Sequence, residues 1–246
     1  MILYDKHKTI IMTEEETIDF ERQCKEERTK QPKKSRKKPP PTAEEKYDAK
    51  MKRKKMRIFK TDILIKAPIL ISIFDNETAE QNRKYRSSKQ MELFPKGCMY
   101  CSPCLVAEYI PINSFMYVIE MNNDQNKIIA IGRIRNKIHF QKYNVYQDKS
   151  YNQFQYVGKW RISREEFTEP EEFTAKIIDI LCFTGNGHMK RSYGLKTFPI
   201  EVVYDLIHNP ESVYKQNRRF ATLELDNSPI NLVKFVKNMF DVRNYI

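Results

Sequence analysis

Three cysteines stand within seven residues, at Cys98, Cys101 and Cys104. Two thiolates in a Cys-x2-Cys turn can grip one zinc ion, but a structural zinc site needs four ligands. Cys182, His188 or Cys24 would have to complete the set, and no second Cys-x2-Cys exists. The candidate ligand set is therefore Cys98, Cys101, Cys104 and Cys182, weighed against ordinary reduced thiols in a turn. The run also opens like a ferredoxin cluster motif, but the fourth cysteine that motif needs is replaced by Glu108. Beyond zinc, no cofactor is expected.

A second candidate is the stretch Cys182–Gly194, which concentrates three of the six glycines within ten residues, beside His188, Lys190 and Arg191. Glycines let backbone N–H groups approach a phosphate, and the adjacent cations neutralise it. With Asn186, these residues form a candidate phosphate-binding loop, although the Walker spacing is absent. The competing reading is a structural loop between helices. A third candidate is aromatic. Trp160, the single tryptophan, lies between Lys159 and Arg161, and Tyr117 is a further aromatic candidate. Aromatic faces beside cations suit base stacking with backbone neutralisation, whereas many aromatics in strands are simply packed there.

Catalysis has little to rest on. The four histidines, His7, His139, His188 and His208, are scattered. No nucleophile elbow, metalloprotease helix or kinase set occurs, and carboxylates are not clustered as a metal-dependent nuclease would need. The chain is expected not to be an enzyme.

Charge points in one direction. The formal net charge is +12, and Arg28 to Lys60 alone carries 15 Lys/Arg against Glu44, Glu45 and Asp48, a local balance of +12. Such a block attracts phosphate backbones through counterion release without reading sequence. Import signalling, acidic membranes and a solvated tail are its alternatives. Lys33, Lys34, Arg36, Lys37 and Lys38 are its densest part. No run of about 18 apolar residues exists, and the first residues lack a signal-peptide pattern, so membrane insertion is not expected.

These candidates need elements to hold them. Residues 1–60 read as a basic, largely disordered arm: prolines at 32 and 39–41 exclude a continuous helix and the lysines repel one another. A marginal helix is expected over 12–28, and 43–60 has helix-forming composition. One α+β domain is expected over 61–246. It opens with a β-branched strand from Asp62 to Phe74, interrupted at Pro68; residues 75–90 read as a loop or short helix. Phe115–Met121 and Lys127–Ile134, joined by Asn-Asn-Asp-Gln-Asn, read as a hairpin whose alternation runs on through Ile138 and Phe140. Residues 153–162 read as another strand. Helices are expected from Pro170 (stripe Phe173, Ile177, Ile180, Leu181), from Pro199 to Pro210, and after Pro229. Strands first and helices later give an α+β domain, a curved antiparallel sheet or small barrel flanked by helices.

The runs MYVIEMNN (116–123), IGRIRN (131–136), FTGNGHMKRSYG (183–194) and CMYCSP (98–103) resemble an uncharacterised protein family of large nucleocytoplasmic DNA viruses, mimivirus-like and phycodnavirus-like. That resemblance covers roughly residues 95–200. It implies a viral protein in the host cytoplasm, virus factory or virion, with the nucleus as a further location, and other viral proteins as partners. The hairpin from Phe115 to Ile134 is also similar to PUA-like domains, including EVE and YTH domains, which read modified bases. That likeness implies a PUA-like barrel and gives Trp160 the place of a cage wall, although such cages usually use more than one tryptophan. The expected function is a viral protein binding RNA or DNA, with a modified nucleotide or cap among its ligands. The alternative is a structural or scaffold protein of the virion or virus factory whose arm contacts DNA.

Overall fold

The computed structural model describes residues 2–5, 8–11, 40–88, 91–92, 94–141, 143–185, 187–191, 194–223, 225 and 228–245. Cys24, Asn186, the cluster Lys33, Lys34, Arg36, Lys37 and Lys38, and the expected helix over 12–28 lie outside them. The chain divides into two units, Met1–Asp48 and Ala49–Ile246. In the first, β1 (Ile2–Asp5) pairs antiparallel with β2 (Lys8–Ile11).

Helix α1 (Ala43–Lys66) takes in the stretch of helix-forming composition over 43–60 and corrects one expectation. Asp62–Ile65 is the last turn of that helix and not a strand. The helix formers from 43 onward carry the β-branched residues with them, and Pro68 makes the stop, since it disfavours helix in the residue before it. The strand proper, β3 (Ile69–Phe74), follows that proline. Then come α2 (Asn76–Arg86), β4 (Cys98–Ser102), β5 (Phe115–Asn122), β6 (Lys127–Arg135), β7 (Phe154–Gly158), β8 (Trp160–Ser163), α3 (Glu169–Phe183), β9 (Leu195–Thr197), α4 (Ile200–His208), α5 (Pro210–Gln216) and α6 (Leu232–Asp241). Pro210 thus ends one helix and starts another at its first turn, where its missing N–H has no intrahelical partner to lose.

The main sheet has five strands in the order β8-β6-β5-β3-β9. It is mixed: β3 runs parallel to β5, and the other pairs are antiparallel. A parallel pair needs a long crossover, which residues 75–114 supply. The sheet is open and does not close into a barrel, so the expected antiparallel sheet or PUA-like barrel is replaced by a mixed α+β sheet with edges at β8 and β9. The expected strand over 153–162 is two strands. β7 pairs with β4 in a separate ribbon, and β8 pairs with β6 in the main sheet.

Alternation sorts the strands into two cores. Ile69, Ile71, Tyr117, Ile119, Ile131 and Ile162 face the helices, joined by Ile177 and Cys182 of α3 and Val236 and Phe240 of α6. The stripe on α3 is turned from the expected one: Ala175, Ile177, Ile178 and Cys182 are buried, and Phe173 is exposed. On the other face, Leu70, Met116, Val118 and Ile134 pack beneath the β4–β7 ribbon.

That second core encloses one buried charge pair. Glu120, 2% exposed, accepts hydrogen bonds from Arg161 Nε and Nη2 (2.8 Å each) and from Tyr100 Oη (2.7 Å). Burial raises the Glu120 carboxyl, but the charge and hydrogen bonds of Arg161, with Arg86 and Tyr100, hold it below its ordinary value. Gly132 makes room for the triad, since a Cβ there would stand 2.0 Å from Tyr100 Oη.

Candidate functional site

The register across the sheet sets out one end of the molecule. Trp160 pairs with Arg133, Arg133 with Tyr117, and Tyr117 with Ile69. Thr197 pairs with Leu70, so β9 presents its end on the same side. At this end β5 starts with Phe115 and β6 finishes with Arg135, its partner.

Charge and aromatic faces meet here. The Arg135 guanidinium stacks 4.1 Å from the centre of the Phe115 ring, and that of Arg133 lies 4.7 Å from it. Lys137 Nζ lies 6.0 Å from the Phe140 ring. Chain alternation explains the arrangement: Arg133 and Arg135 lie at i and i+2, on one face of β6, and Lys137 continues the spacing past the strand end. The expected strand continuation through Ile138 and Phe140 does not form. β6 stops at Arg135, and Phe140 stands 90% exposed.

Together with β8 these residues surround an open groove of about 700 Å³. Its aromatic lining is Phe94, Phe115, Phe140 and Trp160; its cationic lining is Arg133, Arg135, Lys137 and Lys159. None of the described lining residues is Asp or Glu. Trp160 is braced from one side. Tyr245 stacks on it with ring centres 4.3 Å apart and planes 3° from parallel, and Lys96 Nζ donates to the Tyr245 hydroxyl at 2.9 Å.

Of the residues singled out from sequence, Trp160 and Lys159 line this groove. Tyr117 does not: it is 5% exposed, packs on Phe240 at 5.5 Å, and belongs to the helix-side core. Arg161 does not either. Being next to Trp160 on a strand, it projects to the opposite face, where Glu120 holds it. The His188–Arg191 loop is at the other end of the sheet. Asn123 Nδ2 donates to the Lys190 carbonyl, and Lys190 Nζ donates to Asn126 Oδ1 in the hairpin turn. Six residues of β6 separate that turn from Arg133, roughly 20 Å at ~3.4 Å per residue. The loop and Trp160 therefore cannot share one short ligand.

The four candidate cysteines are also dispersed. Cys98 and Cys101, three apart on β4, project from opposite faces of the strand. The Cys98 Sγ contacts the carbonyl oxygens of Arg133 and Trp160, at 3.8 and 3.5 Å. Cys182 is across the main sheet in the helix-side core, beside Met189, and Cys104 is exposed. Burial pushes the Cys98 and Cys101 thiols up to about 12, so both stay protonated at neutral pH in the metal-free chain. Among the described residues, no group of three or more His, Cys, Asp or Glu is arranged to hold a metal ion. No described helix is long and apolar enough to cross a membrane.

Phe94, Phe115, Phe140, Arg133, Arg135 and Lys137 were missed in the sequence reading. One signal was there: cations at 133, 135 and 137 keep the period of a strand, next to a phenylalanine three residues on.

Comparison with protein-family models, with curated proteins and with solved structures finds no match to this chain.

Proposed function

We propose that this protein binds single-stranded nucleic acid, RNA or DNA, in the groove between the ends of β5, β6 and β8. The observation that carries this reading is the groove's composition: four aromatic and four cationic side chains, with no carboxylate among its described lining. Cations supply sequence-independent attraction to phosphates. Ring faces take bases of any sequence, each worth ~1–3 kcal/mol. A duplex hides its base faces, so the aromatic half of the site is used only by an unpaired strand.

The same composition argues against a cationic modified base such as a methylated cap. Four positive side chains around the groove repel a positive ring, and no lining carboxylate compensates. The middle of α1 adds to the attraction: Lys50, Lys52, Arg53, Lys54, Lys55, Arg57 and Lys60 are exposed on it. The viral setting implied by the resemblance belongs to this proposal, with the activity exercised in the host cytoplasm or virion.

The test is fluorescence anisotropy of labelled single-stranded RNA, single-stranded DNA and duplex DNA with the full chain across a salt series. Binding is expected to prefer a single strand and to weaken with salt. Replacing Arg135, Lys137 and Lys159 together by glutamine is expected to flatten the salt dependence by about two units, at ~0.7 per lost phosphate contact. An unchanged slope would sink the groove reading. The rival is a scaffold role in virion or virus factory, favoured by Leu105 and Ile112, which stand 52% and 81% exposed. Duplex binding with an unchanged slope in the triple variant would favour it.

A further inference from the structure

We infer that the bound strand runs past the groove, across the same end of the sheet, to a second aromatic station formed by Tyr109 and Lys60 beside β9. This inference rests on the groove reading above and extends it to the length and path of the ligand.

The path is one piece of chain. The segment from Tyr109 to Phe115 leads from the β9 side of the sheet end to the start of β5, where the groove begins. Asn136, next to Arg135, pins it: Asn136 Nδ2 donates to the Ile110 carbonyl at 2.8 Å, its N–H to the Ser114 carbonyl at 2.8 Å, and its carbonyl accepts from the Asn113 N–H at 2.9 Å. Asn113 turns the segment with a positive φ of 65°, a conformation asparagine tolerates.

At the far end, the Tyr109 hydroxyl meets Thr197 Oγ1 of β9 at 3.1 Å, which fixes the ring. Lys60 Nζ lies 5.3 Å from the ring centre. Tyr109 is nonetheless 51% exposed. The station thus repeats the aromatic–cation pairing of Phe115 with Arg135 and of Phe140 with Lys137. Its hydrophobic neighbours do not cover it, and the exposed Glu108 is the carboxylate beside it.

The spacing gives a length. From β8 to β9 there are four inter-strand steps, about 19 Å at ~4.8 Å each. A stacked strand advances ~3.4 Å per nucleotide, so both stations together take about six nucleotides. The groove alone, spanning β8 to β5, takes about three.

The experiment measures affinity of labelled oligothymidylates of three and eight nucleotides by anisotropy. It compares the natural chain with Tyr109→Ala/Lys60→Gln, Tyr109→Phe and Phe140→Ala. In the double variant the eight-mer is expected to weaken at least tenfold while the three-mer is unchanged. Tyr109→Phe keeps the ring and should keep the affinity, which separates stacking from the Thr197 contact. Phe140→Ala should weaken both lengths. If the double variant leaves the eight-mer unchanged, or weakens both lengths equally, the second station is wrong, and a Phe140→Ala loss still upholds the groove. If Phe140→Ala changes neither length, the groove reading falls and takes this one with it.

Discussion

Phe140 offers a clean separation of binding from folding. Its side chain is 90% exposed. Complete burial of a phenylalanine is worth ~1.5–3 kcal/mol, so the tenth that is covered contributes only ~0.2–0.3 kcal/mol. Phe140→Ala should therefore leave the urea midpoint within the ±0.5 kcal/mol scatter of surface substitutions. In the bound state the same ring is one stacking platform, and its loss removes ~1–3 kcal/mol, which is about 5- to 150-fold in Kd. Because the ring carries no charge, the loss should be the same at every salt concentration, with the slope of log K against log salt unchanged. Lys137→Gln should do the reverse and reduce that slope by ~0.7. Quenching of Trp160, the single tryptophan, reads the titration without a label, and urea unfolding of the same samples reads stability. A Kd within twofold of the natural chain, or a slope that moves with the phenylalanine and not with the lysine, would refute the assignment of stacking to one and charge to the other.

Four further outcomes follow from the core and the thiols. Glu120→Ala leaves the buried Arg161 without its counter-charge and should cost ~3–5 kcal/mol in urea unfolding, whereas Glu120→Leu with Arg161→Met and Tyr100→Phe should recover most of it; a loss under 1 kcal/mol for the single change would contradict the pairing. The Glu120 carboxyl is held below its ordinary value in the folded chain, so its stabilisation is full above the unfolded value of ~4.3 and fades as pH falls through the folded one; Glu120→Gln should flatten stability in that acid window. Gly158→Ala should destabilise by several kcal/mol, because its Cβ would stand 2.1 Å from the Arg133 carbonyl oxygen, a backbone atom that cannot step aside. In a Cys24→Ser chain, Cys104 should react with a thiol reagent at once and Cys98, Cys101 and Cys182 only on unfolding, and rapid modification of all four would overturn their burial.

The hairpin from Phe115 to Arg135 was legible because both of its signals are local: period-two apolar residues and a turn rich in asparagine. The helices after Pro170, Pro199 and Pro229 were legible for the same reason. What failed was each inference that needed a partner strand. Residues 153–162 alternate but for Val157 and Gly158, and that break does not by itself say that Lys159 is where the chain leaves the β4–β7 ribbon for the main sheet. Asp62–Ile65 has strand composition, yet it follows nineteen residues rich in helix formers, and the cooperative helix ran on to within two residues of Pro68. The parallel pairing of β3 with β5 is a long-range contact that no window of sequence contains.

The site failed and succeeded by the same logic. Trp160 and Arg161 are neighbours in sequence, and reading them as one patch ignored that adjacent strand residues point to opposite faces. One went to the groove and the other to Glu120. A correct patch required choosing residues two apart: Arg133 and Arg135, then Lys137, with Trp160 opposite Arg133. The glycine-rich loop was drawn to the tryptophan by chemistry alone, but the hairpin turn that anchors Lys190 lies at the far end of β6. Arg161 and Glu120 neutralise each other on the face opposite the groove. Glu120, the acidic residue of β5, is consumed on the other face by that arginine, so the strand ends that form the groove present cations with no carboxylate to neutralise them. Exchanging the two faces by a one-residue slip of β8 would place Glu120's partner in the groove and leave Glu120 buried alone. The buried pair therefore favours the register that places Trp160 in the groove.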